Sequence, residues 1–246
     1  MTLTQSDSID LLKGIGPKTA AVFQKNGITT LGDLIYFFPR GWIDATTIIP
    51  IADLRPGQSG LLDVQVVTCR EGVSQRTRLP YLRALIADPS GSLEAMWFHP
   101  RFLRDKIKPG AGFLLYGKLQ GFRIDRTIMM GPKFVAKPSI IPVYPQIGGL
   151  PSAKIRGLMK QIEPLIASYP DYLPEEIRGK QNLLPLADAL SFMHFPGEVS
   201  DIDAARHRLG FDELLIVMVP SLLTQSEREH EQTDALQDGD LPVKKW

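Results

Sequence analysis

The sequence predicts an α+β fold: a five-stranded OB-fold Greek-key barrel flanked by N-terminal and C-terminal helical segments. Three observations point there. Residues 59–136 read as three strands, a short helix and two more strands, the element order of that barrel. The residues on either side carry apolar positions at helical rather than alternating spacing. Proline-marked stretches separate the two kinds of pattern.

The chain begins with a helical pattern from Leu11 to Phe38. Pro17 suits the first turn of a helix, where its missing N–H costs nothing. Ala20, Ala21 and Phe23 follow, and Asn26-Gly27 ends the helix. Thr30 is placed to cap a second helix with Asp33 in its first turn, and Pro39 stops it. "RGWIDATTIIPIADLRPGQ" then reads as an extended link.

In "GLLDVQVVTC", Leu62, Val64 and Val66 alternate with Asp63 and Gln65, a half-buried strand. "YLRALIAD" and "SLEAMWF" are the second and third strands, joined by a Pro89-Ser90-Gly91 turn. "HPRFLRDKI" reads as a short helix, and "GFLLYGKLQ" and "RIDRTIMM" as the fourth and fifth strands. Beyond Pro138, Ile155, Leu158, Met159, Ile162, Leu165 and Ile166 form one helical stripe. "NLLPLADALSFMHFP" is a shorter helix, and the run from Asp203 a long one with a kink expected at Pro220. The expected organisation is a helical segment with linker over 1–58, the barrel over 59–137, a helical segment over 138–219 and a linker over 220–246.

With 43% apolar residues the 246-residue chain can bury a core, which excludes wholesale disorder. Net charge is only +1, but it is unevenly spread: residues 59–126 carry eleven basic and six acidic side chains, while 221–246 carry three and six. That concentration points to a local anion-binding face. One cysteine, Cys69, allows no disulfide framework and no cysteine metal site, and the four histidines lack ligand spacing. The N-terminus has no leader pattern and no apolar run reaches membrane-spanning length, so a cytoplasmic location without membrane contact is expected. No Walker A spacing, no Gly-x-Ser-x-Gly elbow and no His-Glu-x-x-His occurs, so no catalytic residue, metal or ATP site is assigned.

Gly14-Ile15-Gly16-Pro17 forms a glycine hairpin like the helix-hairpin-helix element of DNA-binding proteins, with Lys18 just beyond. Its glycines would let backbone N–H groups approach a phosphate. The neutral charge of residues 1–58 and the N–H missing at Pro17 favour the other reading, a corner between packed helices. In "AMWFHPRF" neighbouring side chains point to opposite faces, so Trp97 and Phe98 cannot both enter one core. Glu94 shares the face of Phe98, which makes Phe98 the better candidate for exposure, with Arg101 and Arg104 nearby. An exposed aromatic beside arginines serves base stacking and phosphate attraction. The alternative packs Phe98 under a neighbouring helix. Arg70, Arg76 and Arg78 lie between the first two strands, and Arg123 and Arg126 near the join of the last two. In an OB-fold those two loops rim one binding face.

The pieces "LKGIGPKTAAVFQKNGITTLGDLIYFFPR", "DPSGSLEAMWFHPRFL", "PGAGFLLYGKL", "IIPVYPQIGGL", "ALSFMHFP" and "RHRLGFDELL" together resemble the N-terminal region of the RecG family, bacterial ATP-dependent helicases that remodel stalled replication forks. They cover nearly the whole chain in the family's order. The resemblance implies that the OB domain is a wedge splitting the arms of forked or branched DNA. It also implies that Trp97 and Phe98 match the aromatic pair stacking at the junction. ATP and Mg²⁺ would act only in two RecA-like motor domains. The chain stops at "LPVKKW", where the family begins the segment leading into the first motor, and all helicase motifs are absent. The expected motor therefore lies in further sequence or on another chain. Gly131-Pro132-Lys133 replaces a His-Pro-Glu run usual in the family, and Pro220 interrupts a helix expected to be continuous. The expected function is branched-DNA binding in recombination and repair. The rivals are an OB protein-interaction module and a folded fragment without activity of its own.

Overall fold

A computed structural model describes residues 3–101, 103–123 and 126–237. In chain order the elements are α1 (Pro17–Lys25), α2 (Leu31–Ile35), β1 (Gly41–Ala45), β2 (Ser59–Val73), β3 (Pro80–Asp88), β4 (Gly91–Phe98), β5 (Gly112–Arg123), β6 (Arg126–Met130), β7 (Lys133–Val135) and β8 (Ser139–Val143). Five further helices follow: α3 (Ser152–Gln161), α4 (Glu163–Ala167), α5 (Glu175–Lys180), α6 (Leu186–His194) and α7 (Val199–Gln237). The protein is thus α+β, as expected.

The chain divides into two compact units, Gly41–Val143 and the residues on either side of it. The boundaries expected at 58/59 and 137/138 give way to breaks at 40/41 and 143/144. The cause is β1, which lies in the stretch read as an extended link. It pairs antiparallel with β8 from Gly41↔Val143 to Ala45↔Ser139, nearly a hundred residues away. The unit holds a six-stranded sheet of order β2-β3-β4-β6-β5-β7, in which β2 also pairs with β5, so the strand order returns to its start. β7, the added edge, was not expected. Among the described residues, turns stand where a short helix was expected after β4: Arg104 N–H bonds Pro100 O and Ile107 N–H bonds Leu103 O. Ile107 is buried in the core formed with Leu62, Val64, Val66, Leu82, Ile86, Leu93, Trp97, Leu115 and Met129. At the β3–β4 turn Asp88 accepts from the N–H groups of Ser90 and Gly91, the turn the sequence predicts.

The second unit joins the two helical segments around one core. Phe23, Leu31, Leu34 and Ile35 from the N-terminal helices pack with Ile155, Leu158, Met159, Ile162 and Ile166. The first set alone is too small to bury itself, which is why a segment read as separate is completed by residues over a hundred positions away. Thr30 and Asp33 form a capping box. Hydrogen bonds from the Thr30 and Thr29 backbone hold the Asp33 carboxyl down at about 2. The stripe read as one helix is broken at Ile162, because Pro164 has no N–H to continue the ladder and starts α4 instead. α7 runs through Pro220 to Gln237, so the expected linker is helical over 220–237. Residues 238–246 lie outside the described ones.

Candidate nucleic-acid interface

The face of β2, β3 and β4 turned away from the core begins with a bulge. Pairing runs Val66↔Ile86, then Thr68↔Leu85, so β2 carries one extra residue at Val67. The insertion inverts the alternation. Leu62, Val64 and Val66 point inward, but beyond the bulge the inward residue is Cys69, whose partner is the buried Ala84. Thr68, Arg70 and Gly72 therefore share the outer face.

Cross-strand register then assembles rows on that face, since directly opposed residues project to the same side. One row is Gly72–Tyr81–Phe98. The next is Arg70–Arg83–Met96–Met130, crossing to β6 through the parallel pairing of Met96 with Met130. Tyr81 and Phe98 of the first row and Arg83, Met96 and Met130 of the second line a groove of about 670 Å³, to which the 74–79 loop adds Arg76.

Adjacent residues of β4 take opposite fates here. Trp97 is 6% exposed, stacks on Phe134 at 5.9 Å and donates its indole N–H to Pro132 O at 2.9 Å. Phe98 is 40% exposed and borders the groove. Of the two rings expected to stack on bases, only Phe98 presents one to solvent; Trp97 is a core residue. His99, at φ +52°, turns the chain immediately after Phe98, and its N–H bonds Pro80 O at 3.0 Å.

The basic residues are distributed unevenly. Arg70, Arg76, Arg78 and Arg101 are exposed. Arg104 is held by Glu71 at 2.8 Å, so its charge is already answered. The backbones of Arg123 and Arg126 pair at the β5–β6 join, and their side chains lie outside the described ones. The glycine hairpin belongs to the other unit. Gly14, at φ +87°, has its carbonyl bonded by the Lys154 ammonium. Gln161 bonds both backbone groups of Lys13, at 2.8 and 3.1 Å. Gly16 precedes α1 as its cap, and Lys18 is exposed. The hairpin is thus pinned to α3, as a corner would be.

Tyr81 and Arg83 were missed in the sequence. They occupy alternate positions of "YLRALIAD", and that alternation was the available signal. It could not say which strand lies beside which. The Arg83 guanidinium sits 5.9 Å from the Tyr81 ring centre and 3.7 Å from Glu94, beyond hydrogen-bond reach. Its Nε is buried and has no hydrogen-bond partner. Among the described residues no group of His, Cys, Asp and Glu is arranged to hold a metal, and no helix is long and apolar enough to cross a membrane.

The family model of the RecG wedge domain matches residues 8–166. ATP-dependent DNA helicase RecG of Thermotoga maritima is 28% identical over 236 residues, which cover 91% of this chain and 30% of the relative. RecG of Escherichia coli K12 is 26% identical, covering 90% of this chain and 34% of the relative. A solved structure of RecG bound to a three-way DNA junction superposes with a TM-score of 0.81 at 25% identity, over 99% of this chain and 36% of that one. The chain spans about a third of the length of the relatives it matches.

Proposed function

The chain belongs to the RecG wedge domain family, and from that premise we propose that it binds the branch point of forked DNA on the outer face of β2, β3 and β4. The observation that carries this is the exposed Phe98 ring beside a groove rimmed by arginines, on a strand where the preceding residue, Trp97, is locked into the core. The junction-bound RecG relative supports branched DNA as the ligand class. We read the ring of β2-β3-β4-β6-β5 as a five-stranded OB barrel with β7 as an added edge, a scaffold whose open face suits unpaired nucleic acid.

Each part has a distinct task in this reading. Arg70, Arg76, Arg78 and Arg101 draw in phosphates, giving affinity without sequence preference. Arg123 and Arg126, whose side chains lie outside the described ones, are assigned the same task. Phe98 stacks on a base that duplex DNA would keep covered, which favours a branch over a continuous helix. Trp97 acts indirectly, by anchoring β4 through Pro132 and Phe134. The Gly14–Lys18 hairpin serves as a corner, with any phosphate contact secondary. Unwinding, with its ATP and Mg²⁺, is assigned to motor domains in the two thirds of the relatives that this chain does not span, acting in the bacterial cytoplasm at the nucleoid.

Titration of a three-way junction and a plain duplex at several salt concentrations tests this. Tighter binding to the junction, falling steeply with salt, is expected. Equal affinity for both shapes, or binding indifferent to salt, would overturn it.

A further inference from the structure

Helix α7 is covered on its inner side only as far as Asp212. Ile202, Ala205, Arg208 and Asp212 are buried, one turn after another. Beyond them Leu214, Ile216, Val217 and Met218 are each more than half exposed. From Leu214 to Leu223 the helix carries no charged residue. A helix apolar on every side is ordinarily buried, and an exposed apolar patch marks an interaction site. The outward side of α7 is also periodic. Gly210, Leu214, Val217, Ser221 and Thr224 follow one another at intervals of four, three, four and three residues, the spacing of a coiled-coil seam. At about 3.6 residues per turn this seam lies roughly opposite Ala205, Arg208 and Asp212. His207 and Arg228 hold the next seam positions, so the apolar and small residues end there, after about 21 Å of helix. Thr224 donates its hydroxyl to Pro220 O of its own helix at 2.9 Å, which satisfies the donor at that end.

Turned end for end about Val217, the seam fits itself. Leu214 falls opposite Ser221, a large side chain over a short one, and Gly210 falls opposite Thr224, which lets the two axes approach closely. Both matches recur on the other side of the axis, as a two-fold contact demands, where residue i meets j and j meets i. No like charges meet between Gly210 and Thr224 on the seam. We infer that this stripe of α7 pairs with the same stripe of a second copy of the chain, antiparallel, with the two-fold axis at Val217. The inference uses no residue of the groove and stands apart from the junction-binding reading. A seam of this length belongs at the low end of specific interfaces, so the pair dissociates in the micromolar range.

Sedimentation equilibrium of the whole chain, without DNA, from about 1 to 100 μM tests this. The mass should rise with concentration from that of one chain, 27.4 kDa, toward twice that value. Leu214→Asp and Val217→Asp should each weaken association at least about tenfold and leave the melting curve near wild type, because both side chains are exposed in the single chain. Ile177→Asp, an equal change at an exposed site on α5, should associate like wild type. Orientation is read by cross-linking in a Cys69→Ser background. Leu214→Cys and Ser221→Cys chains, mixed and mildly oxidised, should join to each other faster than either joins to itself. A chain that stays at one mass throughout overturns the pairing and leaves the stripe to a further domain of the kind the longer relatives have room for. Association that survives both aspartate variants places the contact elsewhere. Faster joining of Leu214→Cys to itself than to Ser221→Cys overturns the antiparallel two-fold.

Discussion

Trp97 and Phe98 are adjacent in the chain and lie on opposite faces of β4, the first bonded through its indole N–H to Pro132 and the second bordering an open groove. Their substitutions should therefore separate stability from binding. Phe98→Ala should weaken junction binding by about 1–3 kcal/mol, leave duplex binding nearly unchanged and melt close to wild type. Trp97→Ala should instead lose about 3–5 kcal/mol of stability. Paired melting curves and titrations check this. A low melting point for Phe98→Ala beside a normal one for Trp97→Ala would invert the face assignment.

The exposed arginines should act additively through charge. Removing Arg70, Arg76 and Arg78 should weaken binding to every DNA shape and reduce the salt slope by roughly 0.7–0.9 for each phosphate left without its arginine. Arg104→Ala should change the slope less, because Glu71 already holds that guanidinium. Equal slopes in the triple variant and the wild type would place the DNA elsewhere.

His194 makes stability depend on pH. Its Nε2 faces the Ile35 carbonyl at 2.7 Å and must donate, so Nδ1 accepts from the Tyr144 hydroxyl at 2.8 Å. Burial pushes the imidazole down to about 4, because a charged ring would be desolvated. A His depressed in the folded state takes up its proton more readily when unfolded. Its contribution is complete above the ordinary value of about 6.5 and is lost as pH falls from there to about 4, on the order of 3 kcal/mol in all. Denaturation across that range should show one proton fewer bound on unfolding for His194→Gln than for wild type. Identical pH slopes would contradict it.

Arg208, fully buried on α7, binds Asp171 through both Nη atoms at 2.8 Å, Asp212 through Nε at 3.0 Å, and the Leu184 carbonyl at 2.6 Å. Its hydrogen bonds hold the Asp171 carboxyl well below the usual range. Arg208→Ala should destabilise the protein by about 3–5 kcal/mol, because two aspartates and a carbonyl lose their shared donor. The acid loss from Asp171 falls below about pH 4, beneath the His194 window, since a depressed carboxylate contributes above its unfolded value and fades only as pH drops through the folded one. A chemical-denaturation series near neutral pH measures the first effect, and a shift under about 1 kcal/mol would show that the cluster is dispensable.

Local rules were enough for many elements. The Thr30–Asp33 cap, the turn after Asp88, the β4 alternation and the Ile155–Met159 part of the helical stripe all depend on residues within a few positions of one another, where period and turn chemistry decide. The opposite faces of Trp97 and Phe98 were legible for the same reason: the pleat leaves neighbours no alternative. The Arg70–Arg83 row was not. Alternation counted from Leu62 points Arg70 inward, and only the bulge at Val67 turns it out beside Arg83. A bulge is stabilised by its partner strand, and the sequence of β2 does not say which strand that is. The β1–β8 pairing and the core shared by α2 and α3 are of the same kind. Hydrophobic period and caps are properties of a segment and can be read along it. Register, and the groove it builds, come from backbone hydrogen bonds between segments far apart in sequence, so only the folded chain decides them.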